Sequence, residues 1–150
     1  MSNVILDTGV WFGYFVKRGL FHEDARALVK ELFVSSKKIL LPEVVRFELL
    51  NVLTHELLNH QKVQEINDEL RRLAPYVENR YGDVHFWDNV LPANLFRIFL
   101  RDFDFIIASY ALYWDVDAFY SFDEKLNRAM RRLKPEIVKL KIRKGHVIRD

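Results

Sequence analysis

Four short apolar runs, at residues 3–7, 37–42, 117–122 and 136–140, are separated by longer stretches of helical periodicity. Runs of this length suit strands. Strands that alternate with helices are joined by crossovers, which produce a parallel sheet covered by helices. The pattern predicts an α/β fold, a three-layer sandwich with a mainly parallel central sheet. No linker, repeat or low-complexity segment divides the chain, so residues 1–150 are expected to form one domain.

Between the strands, "TGVWFGYFVKRG" reads as a turn and short helix ending near Gly19. In "HEDARALVKELFVS", Ala25, Leu28, Val29 and Leu32 recur at helical spacing. A long helix is expected over residues 42–60, with Pro42 in its first turn, and a second over residues 63–74. Residues 76–87 show no clear period. "PANLFRIFLRD" reads as helical after Pro92. In "DFIIASYALYWD", Ile107, Ala108, Ala111 and Leu112 lie on the same face as Asp104. "DEKLNRAMRRLK" is a basic helix, and "KIRKGHVIRD" is either an added element or a frayed end.

Composition narrows the chemistry. There are no cysteines, which excludes disulfides, thiolate metal sites and cysteine nucleophiles. No Gly-rich phosphate loop and no G-x-S-x-G elbow is present. "HELLNH" superficially resembles a zinc-protease signature, but His55 and His60 are five residues apart, about 140° around a helix, and diverge. No apolar run reaches membrane-spanning length and no signal-peptide pattern opens the chain, so a cytoplasmic protein is expected. Net charge is +2, but residues 125–150 carry ten Lys/Arg against Glu136 and Asp150, a local +8, leaving −6 elsewhere. A basic end on an acidic body is either a solvated face or a nucleic-acid contact, with Lys125, Arg128, Arg131 and Arg132 as the candidate phosphate ligands.

Ligands of parallel α/β folds bind beyond the carboxyl ends of the strands. Asp7 ends the first strand and Asp123 follows "AFYSF", so both reach the same rim. Each alone is equally a helix N-cap. Glu48 shares a helix face with Val44, Val45 and Val52, an unfavourable place for a Glu without a partner. Asp104 opens the "DFIIASYAL" helix as a cap or as a ligand, with Asp102 as its competitor. Four carboxylates at one rim repel one another unless a cation neutralises them. Hard divalent ions, Mg²⁺ or Mn²⁺, take such oxygen ligands and promote phosphodiester hydrolysis. Thr8 and Ser121 stand where their hydroxyls can orient those carboxylates or cap locally.

In order, "VILDTGVWF", "PEVVRFELLNVL", "DFIIASYAL" and "AFYSFDEKL" resemble the four acidic motifs of PIN-domain nucleases, above all the small VapC type found in prokaryotic toxin–antitoxin pairs. The resemblance runs over about residues 3–140. It implies that Asp7, Glu48, Asp104 and Asp123 are the catalytic, metal-binding acids, and that Ser121 occupies a position usually held by Thr or Ser. It further implies Mg²⁺ or Mn²⁺ dependence, RNA cleavage, frequent homodimers and inhibition by a small antitoxin protein. The alternatives are an RNA-binding module of the same fold, an RNA-processing nuclease outside a toxin system, and a partner-binding protein. The unusually aromatic stretch 79–103 is either a groove extension or a dimer surface.

Overall fold

The computed structural model describes residues 2–149. Its centre is a parallel four-stranded sheet of β1 (Asn3–Leu6), β2 (Lys38–Pro42), β3 (Val77–Arg80) and β4 (Ala118–Tyr120), in the order β3-β2-β1-β4. In register, Val4 stands between Ile39 and Ala118, and Leu40 lies beside Glu78. Val4, Ile5 and Leu6 are fully buried, as a run covered on both faces requires. Each such side chain contributes about 1.5–3 kcal/mol of burial.

Helices flank this sheet. α1 (Thr8–Phe15) starts directly after Asp7. It packs on α2 (His22–Val34), where a Cβ on Gly13 would stand 3.1 Å from the Ala25 Cβ. The long helix expected over residues 42–60 divides. Pro42 ends β2 and caps α3 (Glu43–Leu57) rather than entering its first turn. Leu58, at φ 48, turns the chain, and the Asn59 side chain accepts the Lys62 N–H at 3.1 Å to start α4 (His60–Arg72).

Two further expectations are corrected, and two stretches that the sequence left open are resolved. The stretch 76–87 contains β3, whose polar "VENR" sequence lies at the sheet edge, with Glu78 ion-paired to Lys38 at 3.3 Å and Arg80 at 2.6 Å. A π-helical turn (Phe86–Val90) leads into α5 (Leu91–Asn94), and the helix expected over residues 92–102 stops there. Asn94 turns inward to donate to Ser109 Oγ at 3.2 Å, while Phe96 and Phe99 are 89% and 87% exposed, so residues 95–101 bury no continuous helical face. After α6 (Asp102–Tyr113), β4 and α7 (Glu124–Leu133), the expected strand at residues 136–140 shrinks to a single parallel bridge, Val138 to Phe119, following a 3₁₀ turn (Pro135–Ile137). Through residue 149 the charged end is an antiparallel hairpin of β5 (Leu140–Arg143) and β6 (His146–Arg149), not a frayed terminus. Among the described residues, no helix is long and apolar enough to cross a membrane.

Candidate active site

From β1 the chain moves outward to β2 and β3, then returns to place β4 on the other side of β1. The carboxyl ends of β1 and β4 therefore frame a topological switch point, where a parallel sheet opens a crevice. Asp7 lies there, only 7% exposed. Its backbone N–H donates to the Tyr120 carbonyl at 2.9 Å, which extends the β1–β4 ladder by one residue. Its Oδ1 accepts the Thr8 N–H at 2.8 Å, so the capping role and the rim position coincide. Its Oδ2 accepts the Ser121 hydroxyl, also at 2.8 Å.

Ser121 Oγ in turn accepts the Asp123 N–H at 2.9 Å, and the buried Asn127 side chain donates to the Ser121 carbonyl at 2.9 Å. The Asp123 carboxylate is exposed and caps α7, accepting from the Lys125 N–H at 2.9 Å and the Leu126 N–H at 3.2 Å. Glu48 on α3 and Asp104 on α6 are half-buried. Asp104 sits within the first turn of α6, and Arg101 occupies the cap position without a side-chain bond, so Asp104 is not the cap.

All four carboxylates line one cavity of about 510 Å³, together with Thr8, Leu20 and Phe21. Asp102 is exposed and does not line it. A second cavity of about 410 Å³, between α3 and α4, is lined by residues such as Leu50, Thr54, His60 and Asn67, and has no carboxylate. His55 lies on α3 and His60 on α4, so they share no helix face.

Burial pushes Asp7 up to about 7; the Ser121 bond opposes that rise, and the neighbouring Asp104 and Glu48 charges add to it. Asp104 rises to about 6, first through burial and then through the Asp123 and Glu48 charges, against the pull of Lys125. Thr8 Oγ1, beside Asp7, is buried with no hydrogen-bond partner among the described residues. This is an all-oxygen donor set with mutual repulsion and an unsatisfied hydroxyl, which suits a hard divalent cation. Among the described residues, no three of these side chains already converge as a metal cluster. What the residues provide is donor chemistry around a shared space.

The basic residues fall into two groups. Lys125, Arg128 and Arg132 are exposed on α7. Arg131 is half-buried; its guanidinium donates to the Leu140 carbonyl at 2.6 Å and lies 3.9 Å from Glu124, so it ties α7 to β5. Sequence reasoning missed another pair. The Tyr110 hydroxyl on α6 donates to Glu43 Oε1 on α3, which also accepts the Gly82 N–H at 3.3 Å. Burial, then the Glu43 bond and charge, hold the Tyr110 hydroxyl far above its ordinary range. Tyr110 lies off the apolar stripe that begins at Asp104, and Glu43 reads only as an acid in a first turn, so neither announces the other. The aromatic stretch is partly a surface, with Tyr81, Trp87, Phe96 and Phe99 exposed.

A search of curated proteins finds no match. Among solved structures, VapC20 from Mycobacterium tuberculosis, described as a Sarcin-Ricin loop cleaving toxin, superposes with a TM-score of 0.67 at 16% identity, over 84% of this chain and 94% of that one. A chain of VapBC2 from Rickettsia felis, bound to a DNA fragment from its promoter, superposes with a TM-score of 0.59 at 16% identity, over 91% of this chain and 97% of that one. At such identity the likeness is one of fold. Residues 4–131 match the PIN domain, from the first buried strand to the last turn of α7. A parallel sheet of this order and a match of that extent place the chain in the PIN-domain family.

Proposed function

We propose that the chain is a divalent-metal-dependent endoribonuclease, and the toxin of a VapBC-type pair. The observation that carries this reading is the cavity at the β1–β4 switch point, lined by Asp7, Glu48, Asp104 and Asp123, with two of its acids raised toward neutrality by burial and mutual charge. Asp7, Asp104 and Asp123 would hold Mg²⁺ or Mn²⁺, with Glu48 as a further ligand or as the base. When bound, such an ion supplies charge neutralisation at a phosphoryl oxygen and acidifies a water.

The protein's own groups then have separate tasks. Ser121 keeps the Asp7 carboxylate turned toward the cavity and fixes the Asp123 backbone. In the base role, Glu48 would accept a proton from the attacking water, whose oxygen forms the new P–O bond as the bond to the ribose oxygen breaks in line and that oxygen leaves as a hydroxyl, protonated from solvent. Lys125, Arg128 and Arg132 hold flanking phosphates, whereas Arg131 is engaged with Leu140. The presence of a VapBC complex among the fold neighbours supports a small antitoxin partner. Exposed aromatic and apolar side chains at Tyr81, Trp87, Phe96 and Phe99 offer surface for a homodimer.

The test is cleavage of mixed-sequence single-stranded RNA with Mg²⁺, Mn²⁺ or EDTA, beside an Asp7→Asn control. Metal-dependent cutting that disappears in the control is expected. Cutting that survives Asp7→Asn sinks the mechanism. Tight RNA binding without cutting, in either metal and on any RNA tried, favours a binding module.

A further inference from the structure

We propose that the β5–β6 hairpin is a second grip on the phosphate backbone of single-stranded RNA, placed at the mouth of the acidic cavity. The proposal rests on RNA being that cavity's substrate. The hairpin lies beyond residues 4–131, the span that matches the PIN domain, so the family match assigns it no role.

Its register sorts its side chains. Leu140 pairs with Arg149, Lys141 with Ile148, Ile142 with Val147 and Arg143 with His146. Facing residues in an antiparallel pair share a side, and successive residues alternate. Leu140, Ile142 and Val147 therefore fall on one side, and all three pack on the core. Lys141, Arg143, His146 and Ile148 fall on the other, and Arg143, His146 and Ile148 are exposed. Lys144, also exposed, forms the turn with Gly145. Their φ values of 50° and 76° are those of the tight two-residue turn that matches strand twist.

The hairpin is firmly seated. Ile142 N–H donates to Glu124 Oε2 at 3.0 Å, Arg131 holds the Leu140 carbonyl, and Arg149 pairs with Glu31 at 2.6 Å. Glu124 directly follows Asp123, so β5 is tied to the residue beside a cavity acid. The turn reaches the cavity's other wall, where the Leu20 side chain lies 4.0 Å from the point a Cβ on Gly145 would occupy. Leu20 lines the cavity.

Among the described residues, the outer side carries no acid. Among the described residues, Lys141, Arg143 and Lys144 form no ion pair, whereas Arg149 on the inner side does. Unpaired cations on a fixed strand beside a carboxylate cavity give a polyanion two distinct zones. Its flanking phosphates meet the hairpin while the scissile group enters among the acids. A face of Lys141, Arg143 and His146, with Ile148 as its single apolar side chain among the described residues, suits a phosphate chain better than an apolar protein partner.

The test uses the full chain with EDTA present, so that binding is read without cleavage. Anisotropy of a labelled single-stranded RNA is followed from low to high KCl for the wild type, Arg143→Gln/Lys144→Asn and Arg71→Gln/Arg72→Gln. Asn suits the left-handed backbone at residue 144. Arg71 and Arg72 lie near the carboxyl end of α4, just before β3 begins, at the opposite rim of the sheet. The hairpin variant is expected to bind several-fold more weakly, and its salt slope to fall by about 1.4, or about 0.7 per lost phosphate contact. The α4 variant is expected to match the wild type. Lys144→Asn alone, expected to lower the slope by about 0.7, serves if the double variant melts early.

Unchanged affinity and slope in the hairpin variants overturn the proposal, as does an equal loss in the α4 variant or a wild type that binds no RNA at low salt. Cleavage with Mn²⁺ is scored separately. A wild type that cuts while the hairpin variants bind normally refutes the hairpin alone. A wild type that binds through the hairpin but never cuts refutes the nuclease reading alone.

Discussion

Ser121 Oγ donates to Asp7 Oδ2 at 2.8 Å and accepts the Asp123 N–H at 2.9 Å, so one buried hydroxyl links the acids that leave β1 and β4. The bond favours the ionised Asp7 carboxyl, against a burial that disfavours it. Ser121→Ala is expected to raise the Asp7 pKa further, weaken Mn²⁺ binding at neutral pH and slow cleavage. It should also cost about 1–3 kcal/mol of stability by leaving buried polar atoms unpaired. Calorimetric Mn²⁺ titration and chemical denaturation of the variant measure both effects. An unchanged Mn²⁺ affinity argues against the orienting role.

The stability of the metal-free protein should depend on pH in an unusual direction. In the fold, Asp7 titrates at about 7 and Asp104 at about 6, both above the unfolded value near 3.9. Between roughly pH 4 and 7 the folded state binds more protons than the unfolded one, so these groups lose stability as pH rises through that window. Asp7→Asn is expected to flatten the profile, because it removes the group with the larger upward shift. Added Mn²⁺ should stabilise the wild type more at pH 8 than at pH 5, because protons compete for the same carboxyls. Melting temperatures across pH, with and without Mn²⁺, test both statements.

The bond between Tyr110 and Glu43 joins α6 to α3, the helices that carry Asp104 and Glu48. Glu43 Oε2 has no partner of its own among the described residues, so Tyr110→Phe leaves a poorly satisfied carboxylate. We expect a loss of about 1–3 kcal/mol and a lower kcat, with RNA affinity largely kept. Glu43→Gln combined with Tyr110→Phe should recover part of the stability, since no buried charge remains. Gly82→Ala should damage the same corner, because its Cβ would stand 2.7 Å from Trp87 Nε1 and 2.9 Å from Phe86 Cδ1. Equilibrium unfolding alongside steady-state cleavage separates these effects.

Arg131 is expected to behave as a tether. Arg131→Ala removes the donor to Leu140 and should loosen β5 at a cost of about 1 kcal/mol. Amide exchange in residues 140–149 should quicken, while exchange in β1 stays slow. If exchange across the hairpin does not change, the tether assignment is wrong.

The sequence by itself determined the parallel sheet through "VIL", "ILL" and "AFY", whose fully apolar runs have no stable place except between covered faces. It also determined that Asp7 and Asp123 stand just beyond strand ends, since Asp7 directly follows such a run and Asp123 comes after Ser121 and Phe122 beyond another. The stripe behind Asp104 placed that acid on the buried side of its helix, and the structure puts it on the cavity wall with Glu48. Tertiary structure alone decided the rest. β3 is polar because it forms a sheet edge, and pairing with β2 rather than its own hydrophobicity makes it a strand. Residues 95–101 contain enough apolar side chains for a helix, yet Asn94 finds its partner at Ser109, and the chain turns away. Ser121, Glu43, Tyr110 and Arg131 acquire their roles from partners between 9 and 114 positions away. Sequence spacing encodes burial along one element. Which polar atoms meet across elements depends on how those elements pack.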